Sequence, residues 1–237
     1  MTSCKLLILG SGYYAVGMAM PCEDALICEE SEFVDASHAL TLKTFTKGDY
    51  AAGTALGEKL LQDHERLGLI CDGRLNCSAL EIGLSRFVLE NKVRIWLGSR
   101  VISTEETENG YRVTVLTNGG LETVLAEYVV DARPKAGEKR LTLLFSCCNE
   151  ESLAKVQAAF PEGSTERSFY ADRGALHLPI EAEYNDALRL IYSRWAASAL
   201  EEKILLFAPR FEWVEREIPA DPIAAFEMGL TRNVGWA

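Results

Sequence analysis

The clearest polar–apolar pattern in the chain lies at its start. Leu6-Leu7-Ile8-Leu9 is an unbroken apolar run that stops at Gly10-Ser11-Gly12. A short apolar run bounded by glycine reads as a strand buried on both faces, the habit of a central parallel strand. The spacing predicts a helix from Tyr13 to about Met20, where Pro21 stops it. A second apolar run, Ala25-Leu26-Ile27-Cys28, ends at Glu29-Glu30, and periodicity then lapses between Ser31 and Gly48. Asp49 stands where it would cap a helix over 50–67, with Leu56, Leu60, Leu61 and Leu67 on the inner face. After a turn at Cys71-Asp72-Gly73-Arg74, a second amphipathic helix carries Leu80, Leu84, Phe87 and Val88 inward and ends near Asn91. Residues 93–97 alternate as a strand.

Beyond Val101 the period becomes that of antiparallel β structure. Tyr111, Val113 and Val115 alternate with Arg112, Thr114 and Leu116, and Asn118-Gly119 makes a hairpin turn. Val124, Ala126, Tyr128 and Val130 continue the pairing up to Asp131-Ala132-Arg133-Pro134. Further on, the pattern predicts a strand at 141–145 and a helix at 151–160 with Leu153, Val156 and Phe160 inward. It then predicts strands at 175–180, 187–195, 204–207 and 211–214. Asp221-Pro222 is a cap followed by a first-turn proline, so 223–228 reads as a closing helix. There is no internal repeat and no low-complexity segment.

Composition narrows the class. At 237 residues the chain suits one large domain, or a domain with a sizeable insertion. A net charge of −11 argues against a nucleic-acid or anionic-membrane partner, since a phosphate surface needs a basic footprint. No apolar run approaches the ~20 residues that span a bilayer, and the N-terminus lacks the layout of a signal peptide. The chain reads as soluble and cytoplasmic. Cys4, Cys22, Cys28, Cys71, Cys77, Cys147 and Cys148 include no C-x-x-C pair, so zinc and iron–sulfur signatures are missing. Cys147-Cys148 is a vicinal pair, either a redox site or, the plainer reading, two small residues at the end of a buried strand.

The chemistry lies in the glycine turn. In Gly10-x-Gly12-x-x-Ala15, Gly10 permits the tight turn and Gly12 lets backbone approach a pyrophosphate. Ala15 is small enough to pack the helix on the strand. Ser11, Tyr13 and Tyr14 complete the turn and the helix start, which offers backbone N–H groups to phosphate oxygens. Glu29 ends the next strand 17 positions after Gly12, close to the spacing of about 20 expected for an acid that binds a ribose. With Glu30 beside it, the 2′-phosphate of NADP is disfavoured by charge. The plainer alternative is a βαβ unit that keeps the shape and binds nothing. His38, near Ser37 and Lys43, is either a ligand contact or a solvated loop histidine. His64 falls on the packed face of its helix, and His177 lies in an apolar strand, structural unless it faces a pocket. Arg189, Arg194 and Arg210 are candidate partners for a carboxylate substrate, or else surface charges. A Gly-x-Ser-x-Gly elbow, a P-loop and a metal-binding histidine cluster are all missing, which leaves room for a cofactor enzyme.

The order of glycine turn, strand ending in Glu29, two helices, strand, meander and Val129-Val130-Asp131-Ala132 resembles the FAD-dependent oxidoreductases of the glutathione-reductase-like fold. The resemblance covers about residues 4–134. It implies an α/β fold, a Rossmann-like FAD/NAD(P)-binding domain with a β-meander at 1–134 and 220–237. An inserted antiparallel β substrate domain at 135–219 would cover the isoalloxazine ring. By the family's pattern Gly10, Gly12 and Ala15 would hold the FAD pyrophosphate and Glu29 the adenosine ribose. Val101 would sit beside the adenine, and Asp131-Ala132 with Arg133 would lie near the cofactor. The chain departs from the family at three places. Arg133-Pro134 replaces the usual Thr-Gly, no Gly-Gly pair occurs between Ser31 and Leu42, and a late Gly-Asp is missing. The implied activity is hydride transfer from a small-molecule substrate to flavin. The alternatives are a non-catalytic nucleotide-binding or scaffold relative that has lost the flavin site, and direct use of NAD(P). A second copy or a partner subunit is the expected macromolecular contact.

Overall fold

The computed structural model describes residues 1–42, 50–71, 73–133, 137–214, 218–219 and 221–232. Expectations placed on Lys43, Asp49, Asp72, Pro134, Lys135 and 233–237 lie outside the described residues. In chain order the first elements are β1 (Thr2–Leu9), α1 (Tyr13–Ala19), β2 (Ala25–Cys28), α2 (Ala36–Thr41) and α3 (Ala55–Arg66). A small hairpin of β3 (Ile70–Cys71) and β4 (Arg74–Leu75) leads to α4 (Leu80–Glu90) and β5 (Ile95–Trp96). The meander is β6 (Arg100–Thr107), β7 (Gly110–Thr117) and β8 (Gly120–Asp131). Then follow β9 (Glu138–Ser146), α5 (Glu150–Ala159), β10 (Ser164–Arg167) and β11 (Arg173–Pro179). The last elements are α6 (Tyr184–Ala197), β12 (Ile204–Phe207), β13 (Glu212–Val214) and α7 (Pro222–Thr231).

The first sheet has the order β5-β2-β1-β8-β7-β6. β1 pairs in parallel with β2 on one side and β8 on the other, and β5 pairs in parallel with β2. The meander strands are antiparallel. The unbroken apolar run of β1 follows from this placement. Leu6 and Ile8 pack into the core that holds α1, α4 and α7, whereas Leu7 and Leu9 pack with Val113, Val115 and Val124 of the meander. Both faces of the strand are covered, so neither set can be polar.

The second sheet has the order β10-β11-β9-β12, and β13 also pairs with β9. All its pairings are antiparallel. Leu141, Leu143 and Phe145 of β9 sit in register with Leu178, Leu176 and Gly174 of β11. They join Val156, Phe160, Ile191 and Trp195 in one apolar cluster. The sheet's other face carries Thr142 opposite His177.

Helix α2 lies in the stretch read as lacking periodicity, strand β10 was not expected, and two further elements differ from the sequence reading. Residues 187–195, expected as a strand, belong to helix α6. Ala187, Ile191 and Trp195 are its buried positions, and their spacing of four is helical. The local alternation is broken because Leu190 and Tyr192 face outward. The helix expected from residue 50 begins at Ala55, where Thr54 Oγ1 accepts the Gly57 amide at 3.0 Å. Glu227 of α7 adds to this start, since its Oε1 accepts from Gly53 N, Thr54 N and Thr54 Oγ1 at 2.9–3.2 Å. The start was therefore set by a residue from the far end of the chain. By contrast, the cap at Asp221 forms as expected, with Oδ1 accepting from Ile223 N and Ala224 N. Among the described residues no helix is long and apolar enough to cross a membrane.

α7 closes the first sheet's helical layer by direct backbone contact with α1. A methyl group on Gly17 would sit 2.2 Å from the Phe226 carbonyl oxygen, and one on Gly229 would sit 2.3 Å from that of Tyr14. Neither clash can be relieved by a side-chain rotation, because backbone atoms form both sides. Gly17→Ala and Gly229→Ala are each expected to lower unfolding free energy by about 1–3 kcal/mol in urea denaturation. A change below about 0.5 kcal/mol in either would mean that the helices have slack here.

Candidate functional site

The carboxyl ends of β8, β1 and β2 lie side by side, and the chain leaves β1 through Gly10. Gly10 has φ of +96°, a conformation that side chains disfavour, and its amide donates to Cys28 O at 2.8 Å. Ala132 N donates to Leu9 O at 2.9 Å, which extends the pairing of β8 past the turn. Gly12 is the extended cap residue of α1 and has no side chain to occupy the first-turn amides. A methyl group there would lie 3.5 Å from Asp35 Oδ1, an ordinary contact.

Glu29 is tied to this turn. Its Oε2 accepts from Ser11 N at 2.9 Å and Ser11 Oγ at 2.8 Å, while Oε1 accepts from Ser31 N at 2.8 Å. Ser11 Oγ also accepts the Asp35 amide at 2.9 Å. These bonds leave Oε1 with acceptor capacity, because each carboxylate oxygen offers two lone-pair sites. Ser99 N donates to Glu29 O and Gly98 N to Ser31 O, both at 2.8 Å, which draws the start of β6 and Val101 alongside the end of β2.

Arg133 crosses the strand ends. Its Nε and Nη2 form a two-point fork onto the two oxygens of Asp131, each at 2.9 Å, and Nη1 reaches Glu30 Oε1 at 3.3 Å. The fork with Asp131 raises the guanidinium pKa further above its ordinary value. The side chain lies against the turn, so that a methyl group on Gly10 would sit 2.9 Å from Arg133 Cγ.

The side chains of Tyr13, Tyr14 and Ala15 are buried. Tyr13 is buried with its hydroxyl 2.5 Å from His64 Nε2, and Tyr14 lies under Arg232, whose guanidinium also meets the Tyr14 hydroxyl. Ala15 is buried against the sheet. What these three leave at the turn is backbone. His64, expected as a packed histidine, is fully buried. Burial pushes its pKa down to about 4, against the opposing pulls of the Leu60 carbonyl and Asp63. Burial and then the Asp35 charge push Tyr13 well up, so the phenol keeps its proton beside a neutral imidazole, and the hydroxyl donates to Leu80 O at 3.3 Å. His38 lies edge-on to Tyr13 and its Nδ1 is 2.5 Å from Asp35 Oδ2.

Asp35, Ser31 and Ser99 escaped the sequence reading although all three belong to the site's hydrogen bonds. The available signal was thin: Asp35 stands three residues before His38, the spacing at which the two meet. Elsewhere, His177 is buried with Nδ1 2.8 Å from Thr142 Oγ1 and Nε2 3.0 Å from Glu166 Oε1. Arg189 pairs with Asp186, Arg194 pairs with Glu162, and Arg210 is exposed with its amide bonded to Leu40 O. The three arginines do not converge. The cysteines are free thiols. Burial pushes Cys4 to about 12 and Cys28 to about 11, so neither supplies a thiolate at neutral pH.

The architecture is a Rossmann-like α/β fold, with a parallel core, a meander and a separate antiparallel sheet. Comparison with protein-family models and with curated protein sequences gives no match. Solved structures do match. p-Nitrophenol 4-monooxygenase PnpA from Pseudomonas putida DLL-E4 aligns with a TM-score of 0.57 over 87% of this chain and 67% of its own, at 8% identity. BexE, studied for oxidation during BE-7585A biosynthesis, gives 0.55 over 86% and 52%, at 11% identity. Aklavinone-11 hydroxylase, in a ternary complex with FAD and aklavinone, gives 0.50 over 87% and 53%, at 12% identity. The chain spans about half the length of the last two.

His64 makes stability depend on pH. Between its unfolded value of 6.5 and its folded value of about 4, the unfolded chain binds a proton that the folded chain does not. Stability is therefore unaffected by this group above pH 6.5 and falls on acidification, by about 3 kcal/mol once pH is below 4. Melting curves from pH 7 to 4 should show the loss, and His64→Gln should flatten it; an equally steep curve in the variant would assign the loss to other groups.

Proposed function

We propose that this chain is an FAD-dependent oxidoreductase that takes hydride from a small-molecule substrate. The observation that carries the reading is the turn after β1, where a positive-φ glycine and a side-chain-free cap residue stand next to an acid at the end of β2. That arrangement suits the adenosine diphosphate half of the cofactor: backbone can approach a pyrophosphate at Gly10 and Gly12, and Glu29 can accept from a ribose hydroxyl. The fold likeness to aklavinone-11 hydroxylase, a protein solved with FAD, supports the choice of dinucleotide.

In this reading the chain's own residues bind and orient. Ser11 and Ser31 fix the Glu29 carboxylate by three hydrogen bonds, so little side-chain freedom is left to lose on binding. Gly10, Gly12, and the Ser11, Tyr13, Tyr14 and Ala15 backbone form the phosphate side. Val101 borders the adenine side, while Asp131, Ala132, Arg133 and Glu30 line the strand ends. When bound, the flavin would supply the electron-accepting chemistry. The second sheet, with Thr142, His177 and Glu166 bonded in a row on one face, is the proposed substrate side.

A second reading draws on the Arg133 bridge, which covers the turn where the pyrophosphate would lie. In that reading the chain is a non-catalytic relative that binds an adenine nucleotide, or nothing, and serves as a subunit. The absorption spectrum of the purified chain, before and after denaturation, separates the two. A visible flavin band with roughly one flavin released per chain is expected. A colourless protein that also fails to take up added FAD would leave the subunit reading in its place.

A further inference from the structure

The Arg133 bridge is asymmetric. Toward Asp131 it is a two-point fork at 2.9 Å on both arms, and Arg133 N adds a third bond to Asp131 Oδ1 at 3.1 Å. Toward Glu30 it is a single contact at 3.3 Å between side chains that are 40% and 51% exposed. A guanidinium has five N–H donors, and the bonds formed among the described residues leave one on each Nη. Arg133 thus has one firm partner, one loose partner and spare donors, while its stem rests on Gly10.

We infer that Arg133 is the phosphate-binding side chain of this site and that Glu30 is its built-in placeholder, exchanged for a phosphate group when a nucleoside diphosphate enters. The inference rests on the dinucleotide reading above. Asp131 keeps the guanidinium in place during the exchange, since its fork does not use the N–H groups that turn toward the ligand. Charge requires such a partner. Glu29 and Glu30 follow β2 and Asp131 ends β8, the two strands that flank β1, and Asp35 lies beside Gly12, so an incoming diphosphate meets several carboxylates. Planar, two-donor recognition of phosphate is what a guanidinium does better than an ammonium. Pro134 follows Arg133 in the sequence and has no N–H to offer a phosphate.

The exchange predicts opposite signs for two substitutions, which a merely structural bridge would not. Titration calorimetry of the full chain with FAD, ADP and adenosine reads them, with melting curves as the control for folding. Arg133→Met is expected to weaken ADP and FAD about tenfold to a hundredfold and to leave adenosine unchanged, while Arg133→Lys retains part of the affinity. Glu30→Gln is expected to tighten ADP and FAD several-fold, because it removes the competitor and one negative charge. The inference is overturned if Arg133→Met binds ADP like the wild type or loses adenosine equally. It is also overturned if Glu30→Gln binds ADP no better than the wild type. A wild-type chain that binds neither FAD nor ADP would instead overturn the dinucleotide reading itself.

Discussion

Ser11 gives both its amide and its hydroxyl hydrogen to one oxygen of Glu29, at 2.9 and 2.8 Å, and through them the turn after β1 is fixed to the end of β2. The same hydroxyl accepts the Asp35 amide, which brings the following segment back over Gly12. The other oxygen of Glu29 holds the Ser31 amide. One carboxylate thus organises the exit of two strands and the entry to α2. A hydrogen bond to a charged group is about twice as strong as a neutral one, so this junction is stiffer than the loop composition suggests. Its geometry rests in turn on Gly10, whose positive φ aims Ser11 toward β2.

The strand ends gather several acids in a chain already at −11, and these acids are paired locally. Arg133 is shared by Asp131 and Glu30. His38 is set against Asp35, which the structure buries. A little deeper, Tyr13 and His64 form a neutral pair, the phenol protonated and the imidazole uncharged, joining α1 to α3 without leaving a buried charge. The site thus has a charged outer edge and an uncharged base. The boundary falls at the backbone of Tyr13, whose side chain belongs to the base and whose amide belongs to the turn.

Packing behind the turn is equally constrained. α1 has seven residues, and all seven are buried. Such a short helix gains little from its own hydrogen bonds and depends on its neighbours for stability. α7 supplies that support through the Gly17–Gly229 crossing, and Glu227 on the same helix ties down the start of α3. Helix α7, far from α1 in sequence, therefore supports the turn after β1. The second sheet brings its own core around Phe145, Phe160 and Trp195, and presents the row of Thr142, His177 and Glu166 on its other face.

The parallel core was legible because its signals are local. An apolar run flanked by Gly10 and Gly12 has few other ways to fold, and the strand ending in Glu29, the Asn118-Gly119 hairpin and the Asp221-Pro222 cap likewise depend on neighbours in sequence. The misread elements lacked such signals. α6 carries Leu190 and Tyr192 on its exposed side as well as apolar residues on its buried face, which masks its helical period, and the start of α3 is fixed by Glu227, far away in sequence. At the site the sequence supplied the residue types, glycines, acids and an arginine, at the ends of the right strands. It did not supply their pairings. That Glu29 is held by Ser11, that Asp35 lies beside Gly12, and that Arg133 forks onto Asp131 while touching Glu30 are decided by which strand ends the parallel sheet sets side by side. Hydrogen bonds and ion pairs of this kind act over a few ångströms of space and carry no periodic trace along the chain.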